Sequence, residues 1–250
     1  MAVRSFGSGN LFATNTNANS TPIQFGTLQD VSLDISRTLK ELYGQGQYPV
    51  AIGAAQQKIT GKAKFAQVRG GLYNDLFFGG TTSTGQILSA YQQAASVPSA
   101  TTYTITPATA YPSSVWVEDQ GVLYANGLAL IKVAAGTTPT LGQYSVSTAG
   151  VYTFAAADAS AAVLISYTYN PTGTAGLIVN TGNPLQGVQP TFSLILTRQY
   201  NGVQESFKLW SCIASKLSLP TKMADWGITE LDFSCFADSL GRTITPYVAE

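Results

Sequence analysis

The chain of 250 residues contains no histidine. That absence removes Ser–His–Asp and Cys–His catalysis and the common zinc sites. Its two cysteines, Cys212 and Cys235, are too few to hold a structural zinc without histidine. Charge is scarce as well. Charged residues make up 10% of the chain, against about a quarter in ordinary domains. The 13 basic and 13 acidic residues cancel, so nothing points to tight binding of nucleic acid or of a membrane surface. No apolar run reaches the length of a membrane span. No phosphate-binding loop is present, and no G-x-G-x-x-G opens a helix. Residues 1–10 hold one arginine and no apolar core, so no secretory signal is expected there. Both cysteines fall in predicted strands and are expected reduced and buried; a disulfide stays open if those strands are neighbours.

What remains is apolar and uncharged polar: 45% hydrophobic residues and 24 glycines. A monomer with so few charges is hard to keep unassociated. The composition therefore points to a surface covered by other subunits.

The chain is organised around residues 27–68. Val31, Leu33, Ile35 and Leu39 alternate with Asp30, Ser32, Asp34, Ser36, Thr38 and Lys40, the period of a half-buried strand. Ile59, Ala63 and Phe65 then alternate with Lys58, Thr60, Lys62 and Lys64. Antiparallel pairing sets Asp30 and Asp34 beside the lysine stripe. Ile35 is read as a core residue, so Ile35→Asp is expected to unfold the domain. Between the strands, residues 42–57 carry no charge and are read as a long loop, either mobile or awaiting a partner.

The remaining pattern is mainly β. Residues 1–22, with the polar run 14–20, read as an extended N-terminal arm. Leu72, Tyr73, Leu76 and Phe77 at helical spacing, closed by Gly79 and Gly80, predict one short amphipathic helix over 71–78. Residues 86–95 read as strand. From 97 to 170 only Glu118, Asp119, Lys132 and Asp158 are charged. Short strands are predicted over 103–106, 114–118, 121–125, 128–133, 143–147, 151–154 and 162–169. They fit a small β-sandwich of immunoglobulin-like size inserted between Pro98 and Pro171. Asn126-Gly127 and Asn201-Gly202 each predict a type I′ hairpin, and Gly150 another tight turn. Strands are expected over 191–198, 203–213 and 228–237, with an edge strand at 243–248.

No catalytic, cofactor-binding or metal-ligating set can be assembled, so no enzyme and no cofactor are expected. Glu230 and Asp232 are two carboxylates on one strand face, a pair that a glycosidase or a metal site could use; a solvated or subunit-facing strand face is the preferred reading. Trp116 and Trp210 read as packing residues, and Trp226 as the exposed tryptophan.

Three stretches carry a family resemblance. They are Phe25-Gly26-Thr27-Leu28-Gln29-Asp30-Val31-Ser32-Leu33-Asp34, Thr38-Leu39-Lys40-Glu41-Leu42-Tyr43-Gly44-Gln45 and Lys58-Ile59-Thr60-Gly61-Lys62-Ala63-Lys64-Phe65. Together they resemble the core of the tail tube (major tail) proteins of tailed bacteriophages. Residues 209–219 and 232–238 are similar to that family's C-terminal portion. The resemblance implies a tail-tube β-sandwich or partial barrel with one short helix, formed by 1–96 and 171–250. The insert 97–170 would be an immunoglobulin-like decoration domain. It implies hexameric rings stacked into a hollow tube in the virion tail, assembled in the bacterial host cytoplasm. Implied partners are further copies of the chain, tail tip or baseplate and tail terminator proteins, and double-stranded DNA that passes without sequence-specific binding. No membrane anchor is implied. Leu11, Phe12, Leu42, Tyr43, Gln45, Gln47, Tyr48, Gln56 and Gln57 become the candidate inter-subunit contacts. Alternatives are another virion ring or decoration protein, or a carbohydrate-binding or adhesion module carried by the insert.

Overall fold

Period-2 alternation runs through most of the chain, and the computed structural model is accordingly 56% strand and 5% helix. The structure describes residues 7, 9–17, 20–67, 69–99, 103–107, 114–171 and 176–248. The chain divides into two compact units, Met1–Thr81 with Val179–Glu250, and Thr82–Ile178. Strand β1 (Asn10–Asn15) pairs with β2 (Ile23–Gln24); β3 (Leu28–Tyr43) and β4 (Pro49–Phe65) form a long antiparallel hairpin. A helical turn α1 (Gly70–Tyr73) continues into a widened turn over Asn74–Phe78. Its last bond, Gly79 N–H to Asn74 C=O at 2.7 Å, spans five residues, and Gly79 closes it at φ 60°. This is the short helix expected from the spacing of Leu72 and Leu76, and both are buried.

Strand β5 (Thr81–Thr84) leads into the second unit, which holds β6 (Leu88–Ser96), β7 (Thr104–Ile105), β8 (Val115–Tyr124), β9 (Ile131–Lys132), β10 (Gln143–Val146), β11 (Tyr152–Phe154) and β12 (Ala162–Asn170). Strand β13 (Leu177–Asn180) leads back out and pairs with β5. The first unit then completes its sheet with β14 (Phe192–Tyr200), β15 (Val203–Ser218), β16 (Thr229–Phe236) and β17 (Ile244–Val248). The order is β2-β1-β14-β15-β16-β4-β3, with β17 beside β15. One face of this sheet is apolar. Leu11, Phe25, Ile59, Ala63, Phe65, Phe192, Leu194, Leu209, Leu231 and Phe233 form its core, and Leu72 and Leu76 of the helical segment close over it. Gly61 is required here by a close approach. A Cβ at that position would lie 2.4 Å from the Phe233 ring and 2.9 Å from Leu33.

In the second unit, β6, β12 and β8 make a three-stranded sheet and β7, β11, β10 and β9 a four-stranded one. Both contribute to one core, with Val122, Val163, Ile165 and Tyr167 from the first and Tyr144, Tyr152 and Phe154 from the second. Strand β6 pairs with β12 from Ala162↔Ser96 to Tyr169↔Leu88, so the unit takes in residues that sequence reading left in the first domain. Asp119, 3% exposed at its side chain, sits at the centre of a polar cluster. Lys132 Nζ lies 2.9 Å from it, Tyr144 and Tyr152 donate their hydroxyls at 2.8 and 3.0 Å, and Gly121 N–H donates at 3.1 Å. Burial pushes its carboxyl up, but these donors bring it to a net value below the usual carboxylate range.

Three sequence expectations need correction. Residues 10–15 are not a free arm, because β1 is paired on both sides, with β14 and β2; residues 1–6, 8, 18 and 19 of the expected arm lie outside the described residues. Asn126-Gly127 does not make a type I′ turn. Only Gly127 has positive φ, 89°, and Gly127 N–H bonds Tyr124 C=O while Tyr124 N–H bonds Leu128 C=O, the three-residue loop with a glycine bulge. Asn201-Gly202, at φ 50° and 79°, does adopt the type I′ geometry. Finally, residues 42–57 are mostly strand, and only 44–48 connect β3 to β4.

Two outcomes test these assignments. Gly61→Val is expected to lower the stability of the first unit by about 1–3 kcal/mol through overpacking against Phe233, read as a fall in the denaturant midpoint. Because the Asp119 carboxyl is depressed in the fold, its contribution is complete above the unfolded value of about 3.9 and is lost as pH falls through that region. Asp119→Asn should therefore lower the Tm at pH 7 and make a much smaller difference at pH 3.

Candidate functional site

The β3–β4 hairpin is longer than the core it grows from. Its inner half is held on both sides: β4 pairs with β16 from Thr229↔Phe65 to Cys235↔Ile59, and with β3 over the same residues. There, Ile59, Ala63 and Phe65 are buried, with Val31 and Leu33 packed against them. Beyond Ile59 the ladder continues to Tyr43↔Pro49 with β3 and β4 paired to each other alone. Every described residue from Ser36 to Tyr48 and from Val50 to Lys58 is exposed. The hairpin thus becomes a two-stranded ribbon reaching past the apolar cluster.

The ribbon keeps large apolar side chains in water. Ile35, Leu39, Leu42, Tyr43, Tyr48, Val50 and Ile52 are all more than half exposed, Tyr48 at 83% and Val50 at 69%. Leu42 and Tyr43, adjacent in one strand, point to opposite faces, so neither face is covered. Polar contacts within it are few: Arg37 Nη2 to Gln57 Oε1 at 3.3 Å, and a short bond from the Tyr43 hydroxyl to Glu41. An isolated two-stranded ribbon is marginal in water, and an exposed apolar patch of this kind marks an interaction surface.

Of the contact candidates, Leu42, Tyr43, Gln45, Gln47, Tyr48, Gln56 and Gln57 lie exposed on this ribbon. Leu11 does not join them. It is 1% exposed in the core of its own unit, while Phe12, its neighbour, faces out at 37%. Ile35 also departs from expectation. At 55% exposure it is not a core residue, because Ile59 opposite it is the last buried position of the hairpin. Leu39 was missed as a surface residue for the same reason; Val50 and Ile52 lie in the stretch read as a loop and were not among the contact candidates. Alternation identifies the strand, but not where along it the packing ends.

The opposite face of the inner sheet is a charge ladder. Lys62 Nζ lies 2.8 Å from Glu230 and 3.7 Å from Asp232, and Lys216 lies 3.7 Å from Glu230. The expected partners of the lysine stripe, Asp30 and Asp34, form no ion pair among the described residues; they stand opposite Lys64 and Thr60 on β4. The hydrogen bond from Lys62 holds the Glu230 carboxyl below the ordinary range and pushes the Lys62 ammonium up. A carboxylate held ionised by two lysines is poorly suited to act as a general acid. Among the described residues no group of three or more His, Cys, Asp or Glu side chains could hold a metal. Trp226 is 82% exposed. Trp210 is partly buried, with Lys208 Nζ and the Arg242 guanidinium 3.8 and 3.5 Å from its ring. No described helix is long and apolar enough to cross a membrane.

No protein-family model matches the chain, and no curated protein matches it.

Ile35→Asp is now expected to leave the isolated subunit folded, with a stability change within about 0.5 kcal/mol. An urea melt checks this; a large loss would mean that the side chain is covered within the subunit.

Proposed function

We propose that the chain is a virion structural protein, a phage tail tube subunit that forms hexameric rings stacked into a hollow conduit for DNA. The observation that carries this reading is the β3–β4 ribbon, apolar on both faces and uncharged over residues 42–57. A surface so costly to leave in water needs a second protein surface over most of its length. Copies of the same chain satisfy that need at every position of a closed ring and between rings. The long sheet of the first unit has β3 at its edge. Edge pairing around a ring occupies backbone groups that would otherwise invite aggregation. The scarcity of charge fits a protein whose surface is largely subunit contact. Neutral overall charge fits passage of DNA, since each phosphate contact would add affinity and drag. Lys62 and Lys216 are offset by Glu230 and Asp232, and Asp30 stands opposite Lys64, which limits the net charge of the lysine stripe.

The experiment is negative-stain electron microscopy over a concentration series, with the wild-type chain beside a Val50→Asp/Ile52→Asp double variant. The wild type is expected to form six-fold rings or hollow tubes, alone or on a preformed tail tip. The variant should retain its melting temperature and remain single subunits. A wild type that stays monomeric at every concentration and fails to extend a tail tip would overturn the reading. So would a variant that assembles normally.

A further inference from the structure

The two cysteines meet in the sheet of the first unit. Cys212 on β15 and Cys235 on β16 are direct cross-strand partners. Their sulfurs are 3.1 Å apart and both are free thiols. Directly opposed residues of an antiparallel pair have Cα separations of about 4.5–5.5 Å, inside the range that a disulfide spans. The two thiols differ in access. Cys212 is 0% exposed. Cys235 is partly exposed and lines a cavity of about 560 Å³ together with Gln57, Ile59, Phe236, Arg242 and Thr243.

We propose that Cys235 and Cys212 form an exchange-active dithiol, in which Cys235 takes up a low-molecular-weight disulfide from the cavity and Cys212 resolves it to an intramolecular bond. The Cys235 thiolate attacks one sulfur of the disulfide RSSR. A mixed disulfide, Cys235–S–S–R, forms and RS⁻ leaves, taking the proton that Cys235 gave up. Cys212 then attacks the Cys235 sulfur, and its proton passes to the departing RS⁻. The Cys212–Cys235 bond forms and a second RSH leaves. Both protein thiols are oxidised and RSSR is reduced to two RSH. The order follows from access, since only Cys235 borders open space, and from proximity, since Cys212 is already in contact with the sulfur it must attack. The contact with Cys212 brings the Cys235 thiol below its ordinary value, while Cys212 is held up by its partner and by burial. In a reducing medium the pair stays as thiols; in an oxidising one the bond staples β15 to β16. This inference is independent of the assembly reading.

The test treats the folded full-length chain with glutathione disulfide and follows intact mass, free thiols and Tm. The wild type should lose two hydrogens with no retained glutathione, its two titratable thiols should fall to none, and the Tm should rise by roughly 5–10 °C. Cys212→Ser should instead retain one glutathione on Cys235, and Cys235→Ser should remain unmodified. A wild type that keeps a stable glutathione adduct, or keeps both thiols while the urea-unfolded chain is oxidised, would overturn the proposal. Modification of folded Cys235→Ser would overturn the assigned order.

Discussion

The first unit depends on one constraint: the hydrogen-bonded ladder of β3 and β4 is longer than the core that supports it. Strand β4 is built in two parts. From Ile59 to Phe65 it lies between β3 and β16 and buries every second residue. From Pro49 to Lys58 it has β3 alone. The close approach of Gly61 to Phe233 lets β4 and β16 pack at the inner end, and the unsupported part beyond it shifts register twice, between Arg37 and Leu39 and between Leu42 and Tyr43. A slip of one residue would turn Ile59, Ala63 and Phe65 to the polar face. The core therefore fixes which side chains the inner half of the hairpin buries.

Charge is placed by the same logic. Several of the charged groups pair where strands already run side by side. Lys62, Lys216, Glu230 and Asp232 make a cross-strand ladder on the solvent side of the inner sheet. Arg198 pairs with Glu205 across the β14–β15 hairpin at 2.8 Å. In the second unit the buried Asp119 is matched by Lys132 and two tyrosine hydroxyls. Burial of the Tyr124 hydroxyl and its bond to Asp158 raise that phenol to about 12. The ribbon tip has no charge at all, which removes the usual means by which an exposed strand edge keeps other chains away.

The second unit shows how a sequence with four charged residues over 97–170 can still specify one packing. Its core is rich in tyrosine. Tyr144 stacks on Tyr152 with ring centroids 5.9 Å apart, and both hydroxyls find Asp119. Apolar rings fill the space between two small sheets, and their polar ends meet one buried carboxylate that fixes their direction.

The strand content, the short helix and the second hairpin turn were legible in the sequence, because period-2 alternation, helical spacing before Gly79-Gly80 and Asn201-Gly202 act locally. Residues 42–57 were not, since an apolar run rich in glycine and glutamine has neither alternation nor charge to mark it as strand; pairing of 49–57 with 37–43 made it one. Asn126-Gly127 reads like Asn201-Gly202, yet the Tyr124–Leu128 and Leu123–Ala129 pairings close it one residue wider, as a different loop. The direct pairing of Cys212 with Cys235, the approach of Lys62 to Glu230 rather than Asp30, and the burial of Leu11 beside the exposure of Ile35 also lay outside the sequence. Alternation sets which side chains share a face; which faces are covered depends on strand order and on where the core ends, and residues far apart in the chain decide both.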